Sequence, residues 1–340
     1  MLILRFITAA VILVATGQAT AGGTLTTGSA STPEGLLLCS AGFPVPQCSK
    51  HAFDTSLDLA FSGNGFAKLA VAKNKIGGFD TIHQEEFAND GLYGNGASWI
   101  GSAANSWLKI DLGRAILIDS IAFGRDRITT FNDRDPGRFM IDVASSDNVY
   151  ADGDESNDAN EYTQEFDSVS SVSIAGNQTL QVTFDPPVLA NFVKMTFSNS
   201  GAAIDEVEIF GKVVADIDIK PGSDPNCFNI NGHGVIPVAV LGSATLNVLD
   251  IDSSALFFAG LEVRVRGKKG PLCHEEDSNG DQFLDLVCQF EDDASMWTPD
   301  SSSEATLAGT LFDGTEFEGS DSICVTQEVE NSCPFPPCEG

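Results

Sequence analysis

The sharpest chemical spacing in the chain is Asp277-Ser278-Asn279-Gly280-Asp281-Gln282-Phe283-Leu284-Asp285. Counting Asp277 as position 1, oxygen-bearing side chains fall at positions 1, 3, 5 and 9, and Phe283 at position 7 offers its backbone carbonyl. Calcium takes six to eight oxygens, and alternate residues of a tight loop converge on one point to supply them. The spacing matches the first part of an EF-hand loop. Cys288, however, stands where that loop carries its bidentate Glu, and Gln282 stands at its usual Gly. A strand is expected to follow, so the pattern reads as the calcium loop of a β module rather than a helix–loop–helix hand. Glu275, Glu276 and Glu291 to Asp293 are the candidates to complete the shell. The alternative is an Asx-rich turn without metal.

Arg125, Arg127, Arg134 and Arg138, with Arg114 just upstream, hold five of the eight arginines, interleaved with Asp126, Asp133 and Asp135. Guanidinium forks and carboxylates projecting from loops suit sugar hydroxyls or a bidentate carboxylate. The ordinary alternative is a surface salt-bridge lattice that fixes the loops. A further acidic stretch, Asp147 to Asp158, reads as a solvated turn. The four histidines, His51, His83, His233 and His274, fall in no metal or nucleophile motif, and no G-x-S-x-G, H-E-x-x-H, P-loop or dinucleotide fingerprint occurs. Paired carboxylates for glycoside hydrolysis are spatial and are not legible in sequence.

The elements that must position these groups read as β. Alternation appears at 107–112, 116–123, 139–144, 179–184, 192–197 and 204–210. A second series lies at 216–220, 235–241, 261–266, 283–290, 305–311 and 323–326. Short strands at this density imply sandwiches or barrels. We therefore expect an all-β chain with two β domains, 51–213 and 214–327, packed close together with no flexible linker between them.

Residues 1–21 have the charged start at Arg5, the apolar run and the small residues Ala19 and Ala21 of a secretory signal peptide. A Gly/Ser/Thr-rich leader with Cys39 and Cys48 fills 22–50, and a Cys-containing tail follows from 328 to 340. Eight cysteines suit an oxidising compartment and disulfides rather than zinc, because no C-x-x-C spacing occurs. Cys39 with Cys48 and Cys333 with Cys338 are close pairs. Cys227, Cys273, Cys288 and Cys324 lie in one segment, where Cys273 and Cys288 flank the candidate calcium loop. The formal net charge of −30 repels nucleic acid and anionic lipid, and the segment 214–327 alone carries −15. No membrane insertion is expected.

Three blocks occur in order: Phe87-Ala88-Asn89-Asp90-Gly91 leading to Ser98-Trp99-Ile100-Gly101, then Trp107-Leu108-Lys109-Ile110-Asp111-Leu112-Gly113, then Ile204-Asp205-Glu206-Val207-Glu208-Ile209-Phe210-Gly211. Together they resemble the F5/8 type C (discoidin) family over roughly 51–213. The resemblance implies a galactose-binding-like jelly-roll β-sandwich that binds ligands, glycans in bacterial modules, rather than catalysing. It also implies a structural calcium held by Asp90 and Glu206. Ala97 stands where the family has a Thr ligand, so a carbonyl would have to serve there. In the second block the family's Trp faces the core, and we read Trp99 and Trp107 as core residues rather than a sugar-stacking platform. The segment after 214 resembles an accessory module of secreted bacterial proteins, compatible with an immunoglobulin-like or related sandwich, and implies no reaction.

Together these readings describe a secreted, non-catalytic protein for calcium-dependent recognition of carbohydrate or cell-surface glycan. Its expected ligand contacts are Arg125, Asp126, Arg127, Arg134 and Arg138. Its expected metal ligands are Asp277, Asn279, Asp281, Phe283 and Asp285, with Asp90 and Glu206. The alternatives are an extracellular glycoside hydrolase and a purely structural surface or matrix protein.

Overall fold

Two long strands, Ser106–Gly124 and Gln178–Phe197, carry the first half of the fold. They come from a computed structural model that describes residues 22–29, 51–52, 57–74, 83–94, 96–125, 133–150, 155–174, 178–229, 234–298 and 301–326. The segment expected to be a signal peptide, most of the leader, four of the eight cysteines (Cys39, Cys48, Cys333 and Cys338) and the tail lie outside those residues.

Each long strand joins two segments that the sequence predicts as separate strands. Asp111–Gly113 and Asp185–Pro186 resemble turns, but here the chain bends without reversing. The antiparallel pairing of the two strands slips register between Asp111 and Ile116, and again between Ile118 and Ser120. Each slip leaves extra residues on one strand, five steps facing two on its partner, and such unpaired residues bend a strand as a β-bulge does. Gly113 sits at the first bend with φ 71°, and a Cβ there would lie 2.1 Å from the carbonyl oxygen of Phe66. Only glycine fits the corner.

The sheet runs in the order Leu261–Glu262, Phe257–Phe258, Ser301–Thr310, Glu316–Thr326, Glu206–Val214, Ser106–Gly124, Gln178–Phe197, Phe139–Ala144, Thr163–Asp167. It therefore crosses residue 214 without interruption. Glu206–Val214 pairs antiparallel with Ser106–Gly124, and its last two residues pair parallel with Phe317 and Glu318. A four-stranded sheet of Ile217–Ile219, Val235–Val240, Asp285–Glu291 and Cys273–Glu276 packs on the second half. Phe258 of one layer meets Phe290 of the other with ring centroids 5.6 Å apart.

One continuous buried cluster runs from Leu59 through Trp99, Ile121 and Phe197 to Val213, Ile217, Phe290 and Val325. Alternation drives it. On Glu206–Val214 the buried residues Val207, Ile209 and Val213 face inward, while Glu208, Phe210 and Lys212 are less covered. The parallel contact near 214 leaves no room for a side chain at Gly319, where a Cβ would lie 2.3 Å from the Ala215 carbonyl oxygen. The halves thus meet through close backbone packing and a shared core.

Two disulfides join paired strands. Cys273 and Cys288 lie opposite each other in an antiparallel pair and close the 277–284 loop. Cys227 and Cys324 lie opposite each other in a parallel pair.

Candidate functional site

The arginine-rich segment begins where Ser106–Gly124 ends, at one end of the sandwich. There the backbone knits three segments together. Gly201 N–H donates to Gly101 O at 2.7 Å, Ala203 N–H to Arg134 O at 3.2 Å, and Asp205 N–H to Gly124 O at 3.0 Å. The arginines have different roles within this frame. Arg125 is only 3 % exposed, and its guanidinium donates to Asp133 O at 2.8 Å, to Asp135 at 3.1 Å and to Ile174 O. It is an internal tie that holds the loop and is not presented to a ligand. Arg138 forks onto Asp167 of the neighbouring strand, with Nε at 2.7 Å from Oδ1 and Nη2 on the other oxygen. That fork holds the Asp167 carboxyl at about 2, well below the usual carboxylate range. Both arrangements are lattice contacts. Asp126 and Arg127 lie outside the described residues.

Arg134 differs. Its backbone is left-handed, φ 75°, which costs a non-glycine residue about 1 kcal/mol or more. Its side chain lies over Gly201, is more than a third exposed, and its ion pair among the described residues is a loose 3.8 Å contact with Asp133. Beside it is buried His83, whose Nδ1 lies 3.0 Å from Ser98 Oγ. Burial, reinforced by the charge of Arg134, holds the imidazole below its ordinary pKa, so the ring is neutral at pH 7. Sequence reading missed His83 because its partners, Ser98 and Arg134, are distant in the chain and form no motif. Trp99 and Trp107 are buried, with Trp99 packed on Phe197 at 5.9 Å, and neither offers a face to solvent.

In the 277–285 loop the side chains of Asp277, Asn279 and Asp281 share one exposed turn. Asp277 accepts from the backbone N–H groups of Gly280, Asp281 and Gln282 at 2.7 to 3.2 Å. Asn279 accepts from Asp281 N–H at 2.9 Å, and Asp281 accepts from Phe283 N–H at 2.8 Å. Gln282 takes the left-handed conformation with φ 79°. Asp285 turns away from this group. It is fully buried, accepting from Gly242 N–H at 2.9 Å through one oxygen and from Ser278 N–H and Oγ at 2.8 and 2.6 Å through the other. It anchors the loop's base.

Four of the five residues named to complete the shell are engaged elsewhere. Glu276 faces His274 at 3.5 Å, and Glu291 pairs with Arg264 at 3.1 Å. Asp292 accepts from the Trp297 indole at 3.2 Å, and Asp293 caps the turn at Ser295. Glu291 to Asp293 lie at the far end of the strand, about 20 Å from the loop at its rise per residue. The donors left for calcium are therefore Asp277, Asn279 and Asp281, and backbone carbonyls would have to supply the rest. Among the described residues no three His, Cys, Asp or Glu side chains form a metal-holding group.

Asp90 and Glu206 meet on one turn. Asp90 accepts from Leu92 N–H at 3.0 Å, and fully buried Glu206 accepts from Gly91 N–H at 3.1 Å. Two carboxylates supply part of a calcium shell, and backbone carbonyls would have to supply the rest.

The acidic stretch after Asp147 is not a solvated turn. Lys109 and Lys194 lie directly opposite on adjacent strands, and Lys109 is fully buried. Asp158 bridges them, with Oδ1 2.6 Å from Lys109 Nζ and Oδ2 2.6 Å from Lys194 Nζ. Asp147 adds a second contact to Lys109 at 2.8 Å and accepts from Tyr162 at 2.9 Å. Glu155 accepts from the Trp107 indole and pairs with Lys73 at 2.7 Å. The loop folds back because two like charges placed side by side on a sheet need counter-charges. Burial alone would lower the Lys109 pKa, but Asp147 and Asp158 outweigh it and hold the ammonium above its ordinary value.

No protein-family model and no curated protein matches the chain. Among solved structures, the chain is similar over less than half of its length to carbohydrate-binding modules, two of them of family 32. One is the module of NanJ from Clostridium perfringens in complex with galactose, at 23 % identity and TM-score 0.32, covering 42 % of this chain and 91 % of that one. A second C. perfringens module, in complex with GalNAc-β-1,3-galactose, has 15 % identity and TM-score 0.35 and covers 43 % and 96 %. A chitosan-binding module from a Paenibacillus sp. IK-5 chitosanase/glucanase, in complex with chitotriose, has 14 % identity and TM-score 0.33 and covers 45 % and 100 %. The all-β architecture is established by the strand pairings of the chain itself.

Proposed function

We propose that the chain is a secreted, non-catalytic binding protein that recognises carbohydrate through its discoidin-like unit at 51–213, with the unit at 214–327 as an accessory module. The observation that carries this reading is Arg134. A strained backbone presents an incompletely paired guanidinium beside a neutral imidazole, at the loop end of a rigid sandwich. Binding residues concentrate on loops held by such scaffolds. Backbone strain at a non-glycine residue is also what a preorganised contact tolerates.

Galactose, GalNAc-β-1,3-galactose and chitotriose form the first test panel. Arg134→Ala weakens binding by about tenfold or more, the value of one charge-assisted hydrogen bond, and leaves the melting temperature unchanged. Arg125→Ala lowers the melting temperature, because it releases the loop. Calorimetry and thermal melts read both, and unchanged affinity in the Arg134 variant removes this reading. Turnover of the same sugars would favour a glycoside hydrolase instead.

Calcium is part of the proposal. Asp277, Asn279 and Asp281 would hold the ion at the exposed loop, and Asp90 and Glu206 would hold a second at the buried turn. The ion supplies positive charge that fixes both segments, in the service of adhesion or glycan recognition at the cell surface. Added calcium then raises the melting temperature, and Asp281→Ala abolishes the part of the rise due to the exposed loop. A melt that calcium leaves unchanged rejects both sites.

A further inference from the structure

A cavity of about 470 Å³ opens where the two halves meet, at the corner of Ser106–Gly124 and not at its arginine-rich end. Arg114 forms its floor. The side chain is only 7 % exposed, stacks on Phe66 with its guanidinium carbon 3.9 Å from the ring centroid, and leaves Nη1 buried with no hydrogen-bond partner among the described residues. Sequence proximity groups Arg114 with Arg125, but nine strand residues, 116–124, carry the chain about 30 Å between them. The opposite wall comes from the second half, where Asp250, Phe312 and Asp313 are exposed and Leu246 is buried.

The charges of the cavity select its ligand. Arg114 is the cation, and burial lowers its pKa to about 10, partly offset by Asp313, so it stays charged at neutral pH. Asp58, Asp250 and Asp313 line the same space. An anionic ligand would meet three carboxylates, and a cation would meet a buried guanidinium. A hydroxyl suits both, because it accepts from the Arg114 guanidinium while donating to a carboxylate. Phe312, 72 % exposed at the lip, adds an apolar ring face for the C–H side of a ring-shaped polyol. Pockets of this size, with few convergent polar groups beside apolar wall, hold small ligands. The geometry points to a second binding site, for a neutral sugar ring, built jointly by Arg114 of the first half and Asp313 and Phe312 of the second. It rests on different residues from the Arg134 reading and survives or fails separately.

The test is titration of the full chain with galactose, GalNAc-β-1,3-galactose and chitotriose, following the arginine side-chain NMR signals and the heat of binding. At least one sugar shifts the Arg114 guanidinium signal. Phe312→Ala and Asp313→Asn, both at exposed positions, weaken that component at least about tenfold, or ~1.4 kcal/mol. Asparagine at 313 still accepts from Thr315 N–H, so the local turn is kept. Arg134→Ala leaves the Arg114 shift intact. The cleft site is overturned if no sugar moves the Arg114 signal, or if both cleft variants bind as the wild type does. Loss of the Arg134 component alone would instead remove the loop-end reading and leave the cleft standing.

Discussion

Lys109→Ala lowers the unfolding free energy by about 3–5 kcal/mol, because it strips the cation from a buried cage and leaves carboxylates behind. Asp147 keeps Tyr162 and the Val149 N–H as partners, and Asp158 keeps Lys194. Two carboxylates then share one lysine, and Asp147 keeps no cation of its own among the described residues. Lys109→Met refills most of the volume yet leaves the same charges, so it recovers only the packing share. The Lys109→Met, Asp147→Asn pair recovers more than the two single losses predict, because the groups act as one network. Urea titrations of the four proteins read this coupling, and strict additivity would mean that the cage is not a unit.

The pH dependence follows from the same contacts. Burial would raise the Asp147 pKa, but Lys109, Tyr162 and the Val149 N–H outweigh it and hold the carboxyl below its ordinary value. A depressed carboxyl contributes stability that is complete above its unfolded pKa of about 4 and is lost as pH falls through the folded value. The raised Lys109 works at the other end. Its contribution is complete below about 10.4 and is lost as pH rises through its folded value. The wild type is therefore least affected by pH between these limits. The Lys109→Ala deficit narrows in acid, where protonation relieves the stranded carboxylates.

The cage also shows how far sequence reading reaches. Period-two alternation placed the strands, because a sheet with one buried face repeats every second residue. Two of the predicted breaks were not breaks, since Gly113 and Asp185–Pro186 bend a strand without reversing it, and composition does not distinguish a corner from a hairpin. Lys109 sits inside an alternating apolar run and reads there as a solvent-facing residue. Its burial depends on a loop nearly forty residues later folding over it, and that loop's acidity has the ordinary look of solvated chain.

The candidate sites separate along the same line. The Asp277, Asn279 and Asp281 turn was legible because loop chemistry is local. The inward turn of Asp285 was not, because its partner Gly242 N–H comes from another strand end. Arginine spacing nominated one cluster, and the fold gave its members different roles: Arg125 inside, Arg138 forked on Asp167, Arg134 strained at the surface, and Arg114 at the opposite corner. Nothing in the sequence places Arg114 against Asp313, since that approach depends on the parallel contact near 214 and on Gly319.

The charge of −30 also gains a physical account. Part of it is internal, where Asp147 and Asp158 neutralise lysines and Asp58 and Asp285 accept backbone N–H groups. A buried carboxylate so paired does not repel a distant partner as a surface one does. The outward acidity is concentrated after residue 214, beside the proposed calcium loop and along one wall of the cleft. Raised salt should therefore change ligand encounter more than it changes the fold of the first half.

Removing the Cys227–Cys324 disulfide by double Cys→Ser substitution costs about 4–5 kcal/mol, more than the ~3 kcal/mol for Cys273–Cys288. The separations are 97 and 15 residues, and the entropy a crosslink takes from the unfolded chain grows with the logarithm of the loop it closes. The smaller loop lies inside the larger, so an intact Cys273–Cys288 bond shortens the effective outer loop only slightly, and the two losses nearly add. Position sharpens the contrast. Cys227–Cys324 ties a short strand to Glu316–Thr326, the strand that also meets Glu206–Val214 in the parallel contact. Its loss loosens the edge on which the second half rests. Cys273–Cys288 secures only the hairpin that carries the proposed calcium loop. Without it, calcium should restore more stability to the variant than it adds to the wild type, because the ion orders the same hairpin. Chemical denaturation of the two double variants, with calcium and with chelator, measures both effects. Equal losses, with no calcium difference, would show that neither loop length nor the hairpin governs this half of the fold.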